Sequence, residues 1–266
     1  MAKISKIEAQ KRQGRYNVYL DGQYAFPVAE SVLVRFRLMK GLELDKKQVQ
    51  AITTADQQAR AYGKVLDYLS YQMRSASEVR QKLRELAAPD EFIEPIMTKL
   101  RAQHLVDDQQ YARSYVRTMM TTTLKGPGVI RQQLRMKKVG ENDIESALAE
   151  FPPADQRENA SKLARKLFKR YRKQPAFRRE QKVRQGLMMK GYAGDVYDQV
   201  KDQVIPEADP DQEAVLLATQ AVKVWHRYRR YTGMDRERRF KQAMFRKGFD
   251  LDAVQRWLAE NEEGLS

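Results

Sequence analysis

Cysteine is missing from all 266 residues of this chain. That excludes disulfides and thiolate-held zinc. Histidine is nearly missing: only His104 and His226 occur, and His226 has no second imidazole at ligand spacing. It reads as an ordinary surface residue, and no metal, cofactor or catalytic constellation is expected. Long apolar runs are also absent, and the N-terminus, MAKISKIEAQKRQGRYN, is polar and basic rather than signal-like. The expectation is a soluble cytoplasmic chain with no membrane partner. Acidic residues almost vanish from one stretch: between Lys162 and Arg184 only Glu180 is acidic.

Hydrophobic residues make up 42% of the chain and charged residues 32%. So much charge is hard to place on one compact globule, whereas many small helical units can each bury one stripe and expose the rest. The net charge of +15 points to a polyanionic partner. Most of that excess is local. Residues 152–206 hold fourteen Lys and Arg against six Asp and Glu, whereas residues 207–266 balance at eleven of each.

The stretch His104–Leu134 serves as a template. Asp107 and Asp108 precede a segment with Tyr111, Ala112, Tyr115, Val116 and Met119 on one stripe. Asp107 stands three residues before Gln110, the spacing of a helix-capping box. Gly126-Pro127-Gly128 then breaks the chain, with Pro127 suited to a first helical position, before a second amphipathic segment carrying Val129, Ile130 and Leu134. The unit recurs. Second-helix positions align as Val79, Ile130, Val183 and Phe240, then Leu83, Leu134, Leu187 and Met244. Third-helix positions follow as Ile93, Ile144, Tyr197 and Val254, then Ile96, Ala147, Val200 and Trp257. A period of about fifty residues signals stacked helical modules.

The N-terminal part differs. Arg15–Leu20 and Gln23–Val28 flank Asp21-Gly22, a strong hairpin signal, and Ile4–Ala9 offers a third strand. A short helix around Val32, Leu33 and Phe36 is expected to end at Gly41. Asp45 with Gln48, and Ser75 with Glu78, form further capping boxes. Val49, Ile52, Ala59, Tyr62, Leu66 and Leu69 suit one helix or a kinked pair. The fold is therefore mainly α: tandem three-helix modules in an elongated, curved arrangement, with a small N-terminal hairpin or sheet. The expected divisions are 1–45 for the sheet and short helix, then modules at 46–106, 107–151, 152–206 and 207–266.

The Asp107-Asp108 pair could hold magnesium in a nuclease, but no third acid recurs at a telling spacing, and helix capping explains it. Gly126-Pro127-Gly128 lacks the Lys-Ser/Thr of a phosphate loop. The basic run is harder to set aside: Lys162, Arg165, Lys166, Lys169, Arg170, Arg172, Lys173, Arg178, Arg179, Lys182 and Arg184. Solvated helix faces normally mix signs, because like charges one turn apart repel. A polyanion-binding face is the better reading. Arg227, Arg229 and Arg230 interleave with Tyr228 and Tyr231. Trp225 and Tyr228 also extend an apolar stripe, so core packing suits the aromatics and leaves the arginines available.

At LVDDQQYA, at KGPGVIRQQL and at RSASEVRQKL (Arg74–Leu83) the sequence resembles the RecX family of regulators of the bacterial recombinase RecA. The likeness is clearest over 59–150, and the later repeats fit a longer form of the family. The resemblance implies tandem three-helix modules and marks Asp107, Asp108, Tyr111, Ala112, Gly126, Pro127 and Leu134 as fold-defining. It implies a monomer that binds RecA filaments on single-stranded DNA, and by the same charge double-stranded DNA, with inhibition of filament growth, strand exchange and ATP turnover. The residues alone stop at a helical repeat protein that binds a polyanion. One departure stands out: Lys137-Lys138-Val139 replaces the Lys-Gly seen in the family, so that helix is expected to end differently. Small-angle scattering is expected to give a radius of gyration well above the roughly 18 Å of a compact globule of this length; a value at or below it would exclude stacked modules.

Overall fold

The computed structural model describes residues 1–11, 13–206 and 210–261. It divides into two compact units, Met1–Ala112 with Leu134–Ile144, and Arg113–Gln133 with Glu145–Ser266. Among the described residues no helix is long and apolar enough to cross a membrane.

The chain opens with β1 (Ala2–Ala9), β2 (Arg15–Leu20) and β3 (Gln23–Ala29), joined by β4 (Glu43–Leu44) in an antiparallel sheet of order β3-β2-β1-β4. Asp21 and Gly22 both have positive φ, 49° and 87°, as a type I′ hairpin turn requires. Ile4, Val18, Phe26 and Val28 are buried with Val32 of α1 (Glu30–Arg35), and with Leu38, Leu44 and Ile52. Gly41 does not end α1. Arg37 takes the left-handed conformation (φ 50°), and the Leu38 N–H returns to the Leu33 carbonyl at 3.0 Å, closing the helix earlier. Gly41 instead turns the chain into β4 and donates to the Ile4 carbonyl at 2.8 Å.

The helix α2 (Lys46–Tyr71) is one continuous rod, started by the Asp45–Gln48 capping box. Its early residue Ile52 belongs to the sheet core, while Ala61 and Val65 belong to the first module. Buried Asp56 fixes the sheet to it, accepting from Arg15 at 2.6 and 3.0 Å and from the Ala29 N–H at 2.7 Å. Three such bonds offset the cost of burying a carboxylate.

The modules follow in chain order. Module 1 combines α2 with α3 (Ala76–Glu85) and α4 (Asp90–Ala102), and module 2 holds α5 (Asp108–Thr122), α6 (Pro127–Met136) and α7 (Glu141–Leu148). Module 3 holds α8 (Pro153–Arg170), α9 (Ala176–Met189) and α10 (Val196–Val204), and module 4 holds α11 (Pro210–Arg227), α12 (Gly233–Lys247) and α13 (Leu251–Asn261). The aligned columns are all buried; Val79, Ile130, Val183 and Phe240 are each 0% exposed.

Each second helix ends in the same way. Ala87, Lys138, Gly191 and Gly248 occupy one aligned position and have φ of 52°, 57°, 87° and 93°. The next N–H bonds five residues back, from Val139 to Leu134 and from Tyr192 to Leu187, both at 3.2 Å. Module 2 therefore does not end its helix differently. Lys138 accepts the left-handed conformation at a cost of about 1 kcal/mol, because the hydrogen bonds of the turn are the same.

The repeated turn receives the start of the preceding module's second helix. Ser75 Oγ donates to the Lys137 carbonyl at 3.1 Å, the Gly126 N–H to the Lys190 carbonyl at 2.7 Å, and the Arg178 guanidinium to the Arg246 carbonyl. The Gly128 N–H adds a bond to the Gly191 carbonyl at 2.9 Å. Gly126-Pro127-Gly128 is thus a backbone joint: a Cβ on Gly126 would lie 2.6 Å from the Gly191 carbonyl carbon, and one on Gly191 would strike the Val129 nitrogen. Ala76 and Ala176 also give their N–H groups to carboxylates of the next module, Asp108 at 2.8 Å and Glu213 at 3.0 Å. Pro127, at the corresponding helix start, has no N–H to satisfy.

A second device recurs within the modules. Arg80–Glu94, Arg131–Glu145 and Arg184–Asp198 join second helix to third at 2.8, 2.8 and 2.6 Å, each pair in aligned columns.

The joint predicts opposite outcomes at two aligned positions. Gly191→Ala is expected to cost at least about 2 kcal/mol, from left-handed strain plus overpacking. Lys138→Gly is expected to be neutral or to stabilise by up to about 1 kcal/mol. Thermal and urea unfolding of the two variants checks both; equal effects would mean the glycine joint is not tight.

Candidate nucleic-acid interface

The cations of module 3 separate by what they touch. On α8 the buried face is Ala160, Leu163, Ala164 and Phe168, so the helical period turns Lys162, Arg165, Lys166 and Lys169 outward together. Like charges one turn apart, such as Lys162 with Lys166 and Arg165 with Lys169, weaken a helix. The stripe is little compensated: Lys162 meets Glu158 at 2.6 Å, and Arg165 donates to the Gln203 carbonyl at 3.3 Å. Among the described residues, Lys166, Lys169, Arg170, Arg172, Lys173, Arg179 and Lys182 meet no carboxylate. Arg170 lies over the Tyr171 ring at 5.7 Å, and Arg172 and Lys173 follow it, exposed, in the connection to α9.

Two of the sequence candidates are committed elsewhere. Arg178 is the donor of the joint to module 4, its stem packed on Gly248 and its guanidinium also bonded to Gln181. Arg184 grips Asp198 and lies 5.3 Å from the centre of the Tyr197 ring. Each would have to break those bonds to reach a phosphate, which sets them apart from the uncompensated cations of the stripe. Arg157 escapes sequence reasoning. It is exposed one turn before Ser161 and lines a groove between α8 and α10 with Lys162, Arg165, Gln199 and Gln203. Its spacing from Lys162 and Arg165 is the signal, masked by the neighbouring Glu158.

Arg227, Arg229 and Arg230 are exposed at the end of α11. Their aromatic neighbours are not open stacking platforms. Trp225 meets Phe240 edge-on at 5.3 Å between centroids, and Tyr228 packs against the same core. Arg230 and Arg239 lie 4.9 and 4.2 Å from the Tyr231 ring.

The two aspartates of the template have different partners. Asp107 caps α5, accepting from the Gln110 N–H at 2.9 Å. Asp108 turns to the Ala76 N–H instead, and burial pushes its carboxyl above the usual carboxylate range. Capping of its own helix therefore explains Asp107 alone; Asp108 caps a neighbouring helix. Tyr111, Ala112 and Leu134 are buried, and Gly126 and Pro127 form the joint described above.

Known proteins share this modular plan. The model of the Regulatory protein RecX N-terminal domain matches residues 2–45, that of the RecX first three-helix domain 61–100, and that of the second 107–148. The model of the RecX third three-helix domain matches twice, at 154–200 and 211–258. Regulatory protein RecX of Limosilactobacillus reuteri (strain DSM 20016) is 66% identical over 258 residues, covering 97% of this chain and 98% of the relative. Those of Levilactobacillus brevis and Bacillus subtilis (strain 168) are 50% and 36% identical, covering 98% and 97% of this chain and 98% of each relative. A crystal structure of regulatory protein RecX superposes with a TM-score of 0.71 at 66% identity, covering 76% of this chain and all of that one. One of RecX from Lactobacillus salivarius gives 0.54 at 39% identity, covering 56% and 97%.

The exposed stripe carries its own test. Changing Lys166, Lys169, Arg170 and Lys173 to Glu is expected to weaken binding to single-stranded DNA strongly. It is also expected to flatten the log–log salt dependence, by about 0.7 for each phosphate no longer neutralised. The same reversal at Lys46, Lys47, Arg60 and Lys64, in a nearly balanced region, is expected to do less. Filter binding across a salt series checks this, after thermal melts show both variants folded. Unchanged affinity in the first variant would make the stripe an ordinary solvated face.

Proposed function

The chain belongs to the RecX family, and on that premise we propose that it is a non-enzymatic modulator, mainly an inhibitor, of RecA nucleoprotein filaments. Acting as a cytoplasmic monomer, it lies along the filament groove and limits filament growth, strand exchange and ATP turnover in recombination and the SOS response to DNA damage. The observation that carries this reading is the likeness of nearly the full chain to regulatory RecX proteins at up to 66% identity. The cationic stripe of α8 supports its nucleic-acid component: phosphates of a bound strand would release counterions to it, giving affinity without base contacts. The modular joints supply the mechanical component. Within each compact unit, a donor at one helix start is held by the next module's backbone, which fixes those neighbouring helices to each other.

A second reading rests on the same stripe. A helical repeat protein that binds single strands without a protein partner needs nothing more than those cations. The two separate in one assay. Substoichiometric protein is expected to lower RecA-dependent ATP hydrolysis on single-stranded DNA. If hydrolysis is unchanged while bare DNA is still bound, the second reading holds.

A further inference from the structure

The groove between α8 and α10 has a polar wall that the charge of the stripe does not account for. Ser161 lines it and is only 8% exposed. Among the described residues its hydroxyl meets no hydrogen-bond partner. Thr53, Thr118 and Thr219, also on helices, each donate to the carbonyl four residues back. Ser161 makes no such bond. A hydroxyl taken from water and left without a partner costs free energy, and an acceptor entering the groove would recover it.

Arg157 and Arg165 stand one turn before and one turn after Ser161, and all three line the same groove of about 410 Å³. That volume suits a small molecule or one unit of a larger one. Glu158 lines it too, but it pairs with Lys162 at 2.6 Å, so those two charges cancel. Two guanidiniums remain. Arg157 meets no carboxylate among the described residues. Arg165 gives one N–H to the Gln203 carbonyl at 3.3 Å and keeps the others. Arg165 and Gln203 are the last lining residues of their helices, so this bond spans the groove at that end.

Charge and shape together select the occupant. A phosphate monoester carries nearly two negative charges at neutral pH, matching the two guanidiniums. A backbone diester carries about half as much. A strand passing through would have to part the bond between Arg165 and Gln203, whereas a terminal phosphate can enter from the other end. We propose that the α8–α10 groove binds a terminal phosphate monoester, carried by a free nucleotide or by the end of a strand. The Ser161 hydroxyl donates to a phosphate oxygen, and Arg157 and Arg165 balance its charge. The site shares Arg165 with the cationic stripe, yet it needs neither a strand lying along α8 nor a filament.

The test uses the full chain and two single-stranded oligonucleotides of one sequence, labelled at the 3′ end. One carries a 5′-phosphate and the other a 5′-hydroxyl. The phosphorylated strand is expected to bind about tenfold more tightly. Ser161→Ala and Arg157→Gln are each expected to bring that ratio to within about twofold of unity, while changing affinity for the 5′-hydroxyl strand far less. Both variants are expected to melt no lower than the parent, since neither side chain has an internal partner to lose. Thymidine 5′-monophosphate, with thymidine as control, separates the two sources. Competition by the nucleotide alone, abolished in both variants, means that free nucleotides are accepted. A strand preference without that competition restricts the groove to strand ends. Equal binding of the two strands with no nucleotide competition overturns the proposal, as does a preference that either variant retains in full. Equal displacement by a glutamate-rich peptide would mean that any polyanion suffices, and also overturns it. A 5′-hydroxyl strand that fails to bind counts against the stripe alone, because the nucleotide reads the groove without it.

Discussion

Helix ends leave backbone groups without partners, and in this chain carbonyls that finish one second helix are met by donors at the start of another. The turns that end the second helices of modules 2, 3 and 4 present carbonyls outward, and the start of the preceding module's second helix meets them. The donor can be a hydroxyl, as at Ser75, a backbone N–H, as at Gly126, or a guanidinium, as at Arg178. What stays fixed is the turn. Lys138 holds it without glycine, at some cost, because the carbonyls of Leu134 and Lys137 must face the same way as those of Leu187 and Lys190.

The same logic sorts the cations. A cation whose third helix offers an acid is part of the module, as Arg80, Arg131 and Arg184 are. Exposed pairs of this kind add at most about 1 kcal/mol each, so their value lies more in closing a groove than in stability. A cation on the outer face of α8 has no such third-helix acid, and apart from the Lys162–Glu158 pair repulsion along that face is left uncompensated among the described residues. Net charge alone would not separate these groups; the partner on the third helix does.

Much of this is legible in the sequence, and the exceptions have physical reasons. The aligned columns such as Val79, Ile130, Val183 and Phe240 report burial directly, because a repeated apolar position must face a repeated core. The Asp21-Gly22 turn and the Asp45 and Ser75 caps are equally plain, since their partners are local. The continuity of α2 is not: it serves the sheet core with Ile52 and the first module with Val65, so its apolar face shifts along its length. Arg178 reads as a free cation because its acceptor lies 68 residues away and is a carbonyl, which has no sequence signature. Likewise the partner of Asp108 is a backbone N–H, that of Ala76. The recurring Arg–acid pair is visible in principle, one residue past the third-helix column, yet only the structure shows that its members meet.

One property of the joint bears on how such a chain comes to exist. Modules 2 and 3 each carry a donor at the start of the second helix and an acceptor on the turn that ends it. A tandem duplication of the coding segment therefore copies both halves at once, and a new module arrives already able to dock on its twin. The single third-domain pattern that matches both 154–200 and 211–258 has the form of such an event. The two copies differ within the groove between second and third helices, where Asp198 has Gln255 as its counterpart.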